Sequence, residues 1–124
     1  MEPSAIRILV VDDEAPLLNL MRIFLGRLGY QVETCASALE ALSRFQANPG
    51  QFQLVIADLT MPEMAGDKMA LQMADADPEV RVLLCSGYPY DVQSLAPGVR
   101  ARFGMLQKPF VPKMLETAVK QLLG

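Results

Sequence analysis

The sequence has no histidine. That removes imidazole metal ligands, imidazole general bases and any phosphohistidine formed on the chain itself. Cysteine is scarce: Cys35 and Cys85 stand alone, with no CxxC spacing. They are expected to be buried thiols in a reducing cytoplasm, not a disulfide or a metal site. No apolar run reaches membrane length and no signal-peptide pattern opens the chain, so no membrane partner and a cytoplasmic location are expected. Positive charge is in deficit, 11 Lys and Arg against 14 Asp and Glu. This argues against direct nucleic-acid binding, which draws its non-specific affinity from cations on phosphates. Repeats, linkers and low-complexity stretches are also missing.

What remains is a chain of 124 residues, 52% apolar and 20% charged, expected to form one globular domain over residues 1–124 with its own core. Runs rich in Val, Ile and Leu at residues 6–11, 31–35, 54–57, 81–85 and 105–107 read as strands, and three are apolar enough to be buried on both faces. Helical periods lie between them. Leu17, Met21, Phe24, Leu25 and Leu28 share a face before Gly29. Ser37-x-x-Glu40 is a capping-box pattern opening a second helix, which Asn48-Pro49-Gly50 ends. A third helix is expected from 66 to about 76. A short fourth is expected over 90–96, fenced by Pro89 and Pro97. In a fifth, begun near Pro112, Met114, Leu115, Ala118 and Leu122 form the stripe. Five βα units predict an α/β domain: a parallel sheet with right-handed crossovers and helices on both faces.

Functional groups of such sheets gather beyond the carboxyl ends of the strands. Those ends carry Asp12-Asp13-Glu14, Asp58, Ser86-Gly87 and Lys108-Pro109. Each has an ordinary explanation. The acidic triplet suits a helix N-terminus, worth ~0.3–1 kcal/mol per charge; Asp58 suits an Asx turn, Ser86-Gly87 a simple turn, and Lys108 a surface position. Their coincidence favours a shared site. Three clustered carboxylates repel by roughly a few kcal/mol per close pair. Lys108 offsets only one of the charges of Asp12, Asp13 and Asp58, and hard oxygen donors without His or Cys select Mg2+. Such a site suits phosphoryl transfer: Asp58 as nucleophile, Lys108 and the cation on the equatorial oxygens, Ser86 as hydroxyl donor.

The segments "ILVVDDE", "LVIADLTMPEMAG", "VLLCSGYP" and "LQKPF", in this order, resemble the receiver domains of two-component response regulators over about residues 6 to 123. The resemblance implies a flavodoxin-like, doubly wound five-stranded sheet of strand order 2-1-3-4-5. It implies Asp58 as phosphoacceptor, Lys108 and Ser86 as its active-site lysine and switch hydroxyl, and Mg2+ held by Asp13, Asp12 (largely through water), Asp58 and the Thr60 carbonyl. It further implies a histidine kinase or phosphotransfer protein as donor, a protein target that the sequence does not name, a cis Lys108–Pro109 bond and a signalling unit that is not an enzyme. The chain departs from the pattern twice. Met105 stands where receivers usually carry an aromatic residue or histidine, which questions the usual switch of the face made by helix four, strand five and helix five. Val111 replaces a small polar helix cap. The style of "SGYP" and "LQKPF" is similar to receivers at the ends of hybrid histidine kinases, so a stand-alone regulator and a domain of a longer chain are both expected forms.

Other functions fit less well. A haloacid-dehalogenase-type hydrolase needs a second aspartate at the position of Thr60. A flavodoxin needs a Ser/Thr/Gly phosphate loop where Asp12-Asp13-Glu14 stands. A receiver used only for docking would normally lack one of the Asp, Ser/Thr or Lys groups, and none is missing. The eight methionines read as core filler, although Met64, Met69 and Met73 also suit a partner surface. Tyr88 and Tyr90 are either loop aromatics or a shield for the site.

Overall fold

The computed structural model describes residues 5–124. Strands β1 (Arg7–Val11), β2 (Gln31–Cys35), β3 (Leu54–Asp58), β4 (Arg81–Ser86) and β5 (Phe103–Gln107) form one sheet of order β2-β1-β3-β4-β5. Every pairing is parallel. The helices are α1 (Ala15–Arg27), α2 (Ala38–Ala47), α3 (Gly66–Ala76), α4 (Pro97–Arg100) and α5 (Pro112–Leu123).

Alternation along the central strands builds two cores. Leu9, Val11, Val55, Ala57, Val82 and Leu84 face α2 and α3, where Phe45, Met69 and Met73 are fully buried. Ile8, Val10, Leu54, Ile56, Leu83 and Cys85 face α1 and α5, meeting Met21, Leu25, Leu115 and Val119. Full burial of β3 on both sides follows from its central place in the sheet. Met69 and Met73 are therefore core residues, as the filler reading expects, and Met64 packs at the edge of the same core.

Local signals set the helix ends. Ser37 caps α2 by accepting the Glu40 N–H at 3.2 Å. Gly29, at φ 101°, takes the left-handed conformation that closes α1. Val111 begins α5 without a side-chain cap, and Pro112 occupies its first turn. Lys108–Pro109 is cis.

Three expectations need correction. Residues 90–96 do not form a helix: a 3-10 turn covers Val92–Ser94, and α4 begins at Pro97. Proline's fixed φ suits a first helical position, while Ala96 before it is held extended, with ψ 144°. Strand five begins at Phe103, two residues early, because Gly104 hides the pattern. A Cβ there would meet Leu122 Cδ1 at 3.1 Å, so the glycine makes room for α5. In α5 the buried residues are Leu115 and Val119, whereas Met114 is 46% exposed.

Gly66 decides how closely α3 approaches the sheet. A Cβ on it would sit 2.0 Å from the Asp58 carbonyl oxygen and 3.1 Å from Leu59 Cα. Gly66→Ala should cost about 1–3 kcal/mol in urea denaturation. Gly98→Ala, which meets open space within α4, should be neutral or slightly stabilising. Equal effects would show that this close approach is not a constraint.

Candidate functional site

The order of the sheet reverses direction between β1 and β3, and a crevice opens beyond their carboxyl ends. Backbone bonds carry the ladder to these tips. Asp12 N–H donates to the Cys35 carbonyl at 3.2 Å, Leu59 N–H to Cys85 at 2.9 Å, and Lys108 N–H to Ser86 at 2.6 Å. Five elements of distant sequence thus deliver their terminal residues to one edge.

Lys108 stands at the centre of that edge. Its ammonium lies 3.0 Å from Asp12 Oδ2, 3.4 Å from Asp58 Oδ1 and 3.9 Å from Glu14 Oε1. Asp12 and Asp58 are buried, at 1% and 7% exposure, while Asp13 is exposed. One carboxylate oxygen from each of Asp12, Asp13 and Asp58 lies within 4.8 Å of the other two, a cluster able to hold a metal ion. Ser86 is fully buried at the adjoining tip of β4, where its Oγ accepts the Tyr88 N–H at 3.0 Å.

The ordinary explanations of these residues survive only in part. Glu14 is the N-cap position of α1 but makes no side-chain cap. Asp12 Oδ1 accepts the Glu14 N–H at 2.9 Å, so that carboxylate both shapes the turn and binds Lys108. The Thr60 N–H weakly opposes the upward shift of the Asp58 carboxyl, an Asx-like influence that coexists with the Lys108 ion pair. Thr60 itself is exposed beside the acidic cluster.

Electrostatics agree with an unbalanced site. Burial raises the Asp58 carboxyl above the usual aspartate value; Lys108 opposes this, and Asp12 adds to it. Burial pulls Lys108 downward, but bonding to Asp12 and the nearby negative charges outweigh it and hold the ammonium above the ordinary lysine value. Beneath the site, burial pushes the Cys85 thiol up to about 12, so it is an inert part of the core.

The structure thus brings together Asp12, Asp13, Asp58, Ser86 and Lys108, with Thr60 adjoining them. Sequence reasoning gave no role to Glu14 as a third carboxylate on Lys108. The acidic triplet was its signal, but only the fold shows which member turns inward. It also read Gly66 as no more than the start of a helix.

A switch-point crevice lined by carboxylates, with a half-buried lysine and a buried hydroxyl, defines an α/β domain whose acidic cluster could hold a metal ion. The chain belongs to the response regulator receiver domain family, whose profile matches residues 8–120. It is 35% identical over 120 residues to the sensor kinase CckA of Brucella abortus, covering 97% of this chain and 13% of that protein. The chain therefore spans a small part of that relative. A crystal structure of the receiver domain of the hybrid histidine kinase CckA superposes with TM-score 0.81 at 30% identity, covering 95% of this chain and 99% of that one. A response regulator receiver protein of Sinorhizobium medicae gives TM-score 0.83 at 28% identity, covering 96% and 94%. The chain is accordingly a receiver of two-component signalling, and nothing in these relatives supports a hydrolase of the haloacid dehalogenase type.

The raised carboxyl of Asp58 fixes the sign of a stability effect. A group whose value rises on folding lends stability below its unfolded value and loses it as pH climbs through the folded value. In metal-free protein, Asp58→Asn should therefore raise the urea midpoint at pH 7, and the gain should shrink as pH falls toward 4. A variant less stable than the wild type at pH 7 would show that the Asp58 charge is balanced in the fold.

Proposed function

We propose that Asp58 is the phosphoacceptor of this receiver, taking a phosphoryl group from a phosphohistidine on a histidine kinase or phosphotransfer protein. The observation that carries this reading is the Lys108 ammonium shared between Asp12 and Asp58 at the switch point, with Asp13 alongside. An Asp58 oxygen forms the new bond to phosphorus as the donor's N–P bond breaks, leaving an acyl phosphate. Lys108 is placed to bind the charge on the equatorial oxygens, and Ser86 can turn its hydroxyl toward them.

Asp12, Asp13, Asp58 and the Thr60 carbonyl would hold Mg2+. All are hard oxygen donors, and the three carboxylates already converge within ligation range of one ion. When bound, Mg2+ supplies charge neutralisation to the developing phosphoryl transition state. Without a cation the three carboxylates face one ammonium, an excess of negative charge that repels an incoming phosphoryl group.

The unit acts as a switch and not as a turnover enzyme, since Thr60 stands where a hydrolase of the alternative type would require an aspartate. Residues 1–124 make up one receiver, and the similarity to a hybrid-kinase receiver favours a place within a phosphorelay. Its output goes to a protein target; an acidic chain is poorly suited to contact nucleic acid directly. Two buried free thiols fit the cytoplasm, and no helix among the described residues is long and apolar enough to cross a membrane.

Acetyl phosphate with Mg2+ should place one base-labile phosphoryl group on the chain, located at Asp58 by mass spectrometry. Asp58→Asn should abolish it, and ATP alone should label nothing. Equal labelling of the substituted protein would overturn the assignment.

A further inference from the structure

Glu14 belongs to the acidic triplet but not to the metal cluster, whose converging oxygens come from Asp12, Asp13 and Asp58. Nor does it serve α1: it stands at the N-cap position, and its side chain makes no cap hydrogen bond. What it reaches is Lys108, with Oε1 3.9 Å from the ammonium. Asp12 Oδ1 holds the Glu14 N–H at 2.9 Å, so the turn that aims Asp12 inward also sets Glu14 at the rim. There the Glu14 side chain is 66% exposed, against 1% for Asp12.

Charge decides what a residue so placed can do. Lys108 and a divalent cation together match the charges of Asp12, Asp13 and Asp58, so a loaded cluster is balanced within itself. Lys108 is already shared between Asp12 at 3.0 Å and Asp58 at 3.4 Å. Glu14 is left over, and with it the loaded site keeps a surplus negative charge on its exposed side. Such a surplus acts with opposite sign on the two ligands of the site: it draws in a cation and repels an anion. Because Glu14 faces water, both effects are modest and are screened by salt.

We propose that Glu14 is a selectivity residue of this site, strengthening divalent-cation binding and discriminating against small free phosphodonors according to their charge. Its role rests on Asp58 being the phosphoacceptor. Glu14 neither ligates the metal nor touches phosphorus; it acts through its field.

Two free donors of unequal charge separate this effect from any other. Near neutral pH acetyl phosphate is doubly charged and phosphoramidate singly charged. With either one, an Asp58 oxygen bonds phosphorus as the donor's P–O or P–N bond breaks, releasing acetate or ammonia. Repulsion by Glu14 weighs more on the first donor than on the second.

The wild type, Glu14→Gln and Glu14→Lys are compared by calorimetric titration with Mg2+, and by the initial rate of labelling at saturating Mg2+ and low donor concentration, read by mass spectrometry. Glu14→Gln should bind Mg2+ roughly twofold to fivefold more weakly, yet react with acetyl phosphate roughly twofold to fivefold faster. Its gain with phosphoramidate should be smaller. Glu14→Lys should enlarge all three changes, and added salt should shrink them. A residue that merely propped up the turn would not weaken cation binding and speed reaction with the anion together. No change in Glu14→Gln, changes of the same sign for cation and donor, or equal gains with the two donors would overturn the proposal while leaving the phosphoacceptor reading intact. A wild type that neither donor labels at Asp58 would instead remove that reading, and the role of Glu14 with it.

Discussion

One ammonium shared among carboxylates organises the active edge of this protein. Lys108 reaches Asp12, Asp58 and Glu14 at once, and two of those three groups are buried. Burial alone would push the lysine toward neutrality and Asp58 toward protonation. The ion pairs keep Lys108 charged, yet they do not fully offset the penalty at Asp58. The site is thus built with too much negative charge for its single fixed cation. A cation bound at the cluster would offset that excess, in line with the proposed function.

Sheet register makes this arrangement possible. Asp58 is the last residue of β3 and pairs with Cys85, while Val11, just before Asp12, pairs with Ala57. A slip of one residue would turn Asp58 from one face to the other and exchange Leu54 and Ile56 with Val55 and Ala57 between the two packed cores. Gly66 then brings α3 against the Asp58 carbonyl, and the backbone bond from Lys108 to Ser86 fixes the tip of β5 beside that of β4. Stability is concentrated beneath the site. Above it lies a segment built from a 3-10 turn and one four-residue helix.

Most of this edge is legible in the sequence because it is written in short contiguous signals. Apolar runs that end on Asp12, Asp58, Ser86 and Lys108 reveal both the strands and their tips. Features that depend on contacts between distant residues are not legible. Gly104 breaks the pattern of β5, and its purpose becomes visible only when Leu122 packs over it. Pro97 reads as a barrier or a beginning with equal ease, and the extended residue before it decides the matter. Met114 and Leu115 are adjacent and both apolar, yet only the packing of α5 shows that Leu115 is buried and Met114 is not.

Burial, with the added charge of Asp12, holds the Asp58 carboxyl above the usual aspartate value, and the proposed function requires that a cation at the same cluster relieve it. Following the Asp58 side-chain carboxyl carbon by 13C NMR as a function of pH, with and without Mg2+, measures this directly. Without metal the carboxyl should titrate above the ordinary aspartate value, and saturating Mg2+ should move its titration well to the acid side. A carboxyl that titrates at the ordinary value and ignores Mg2+ would contradict the account.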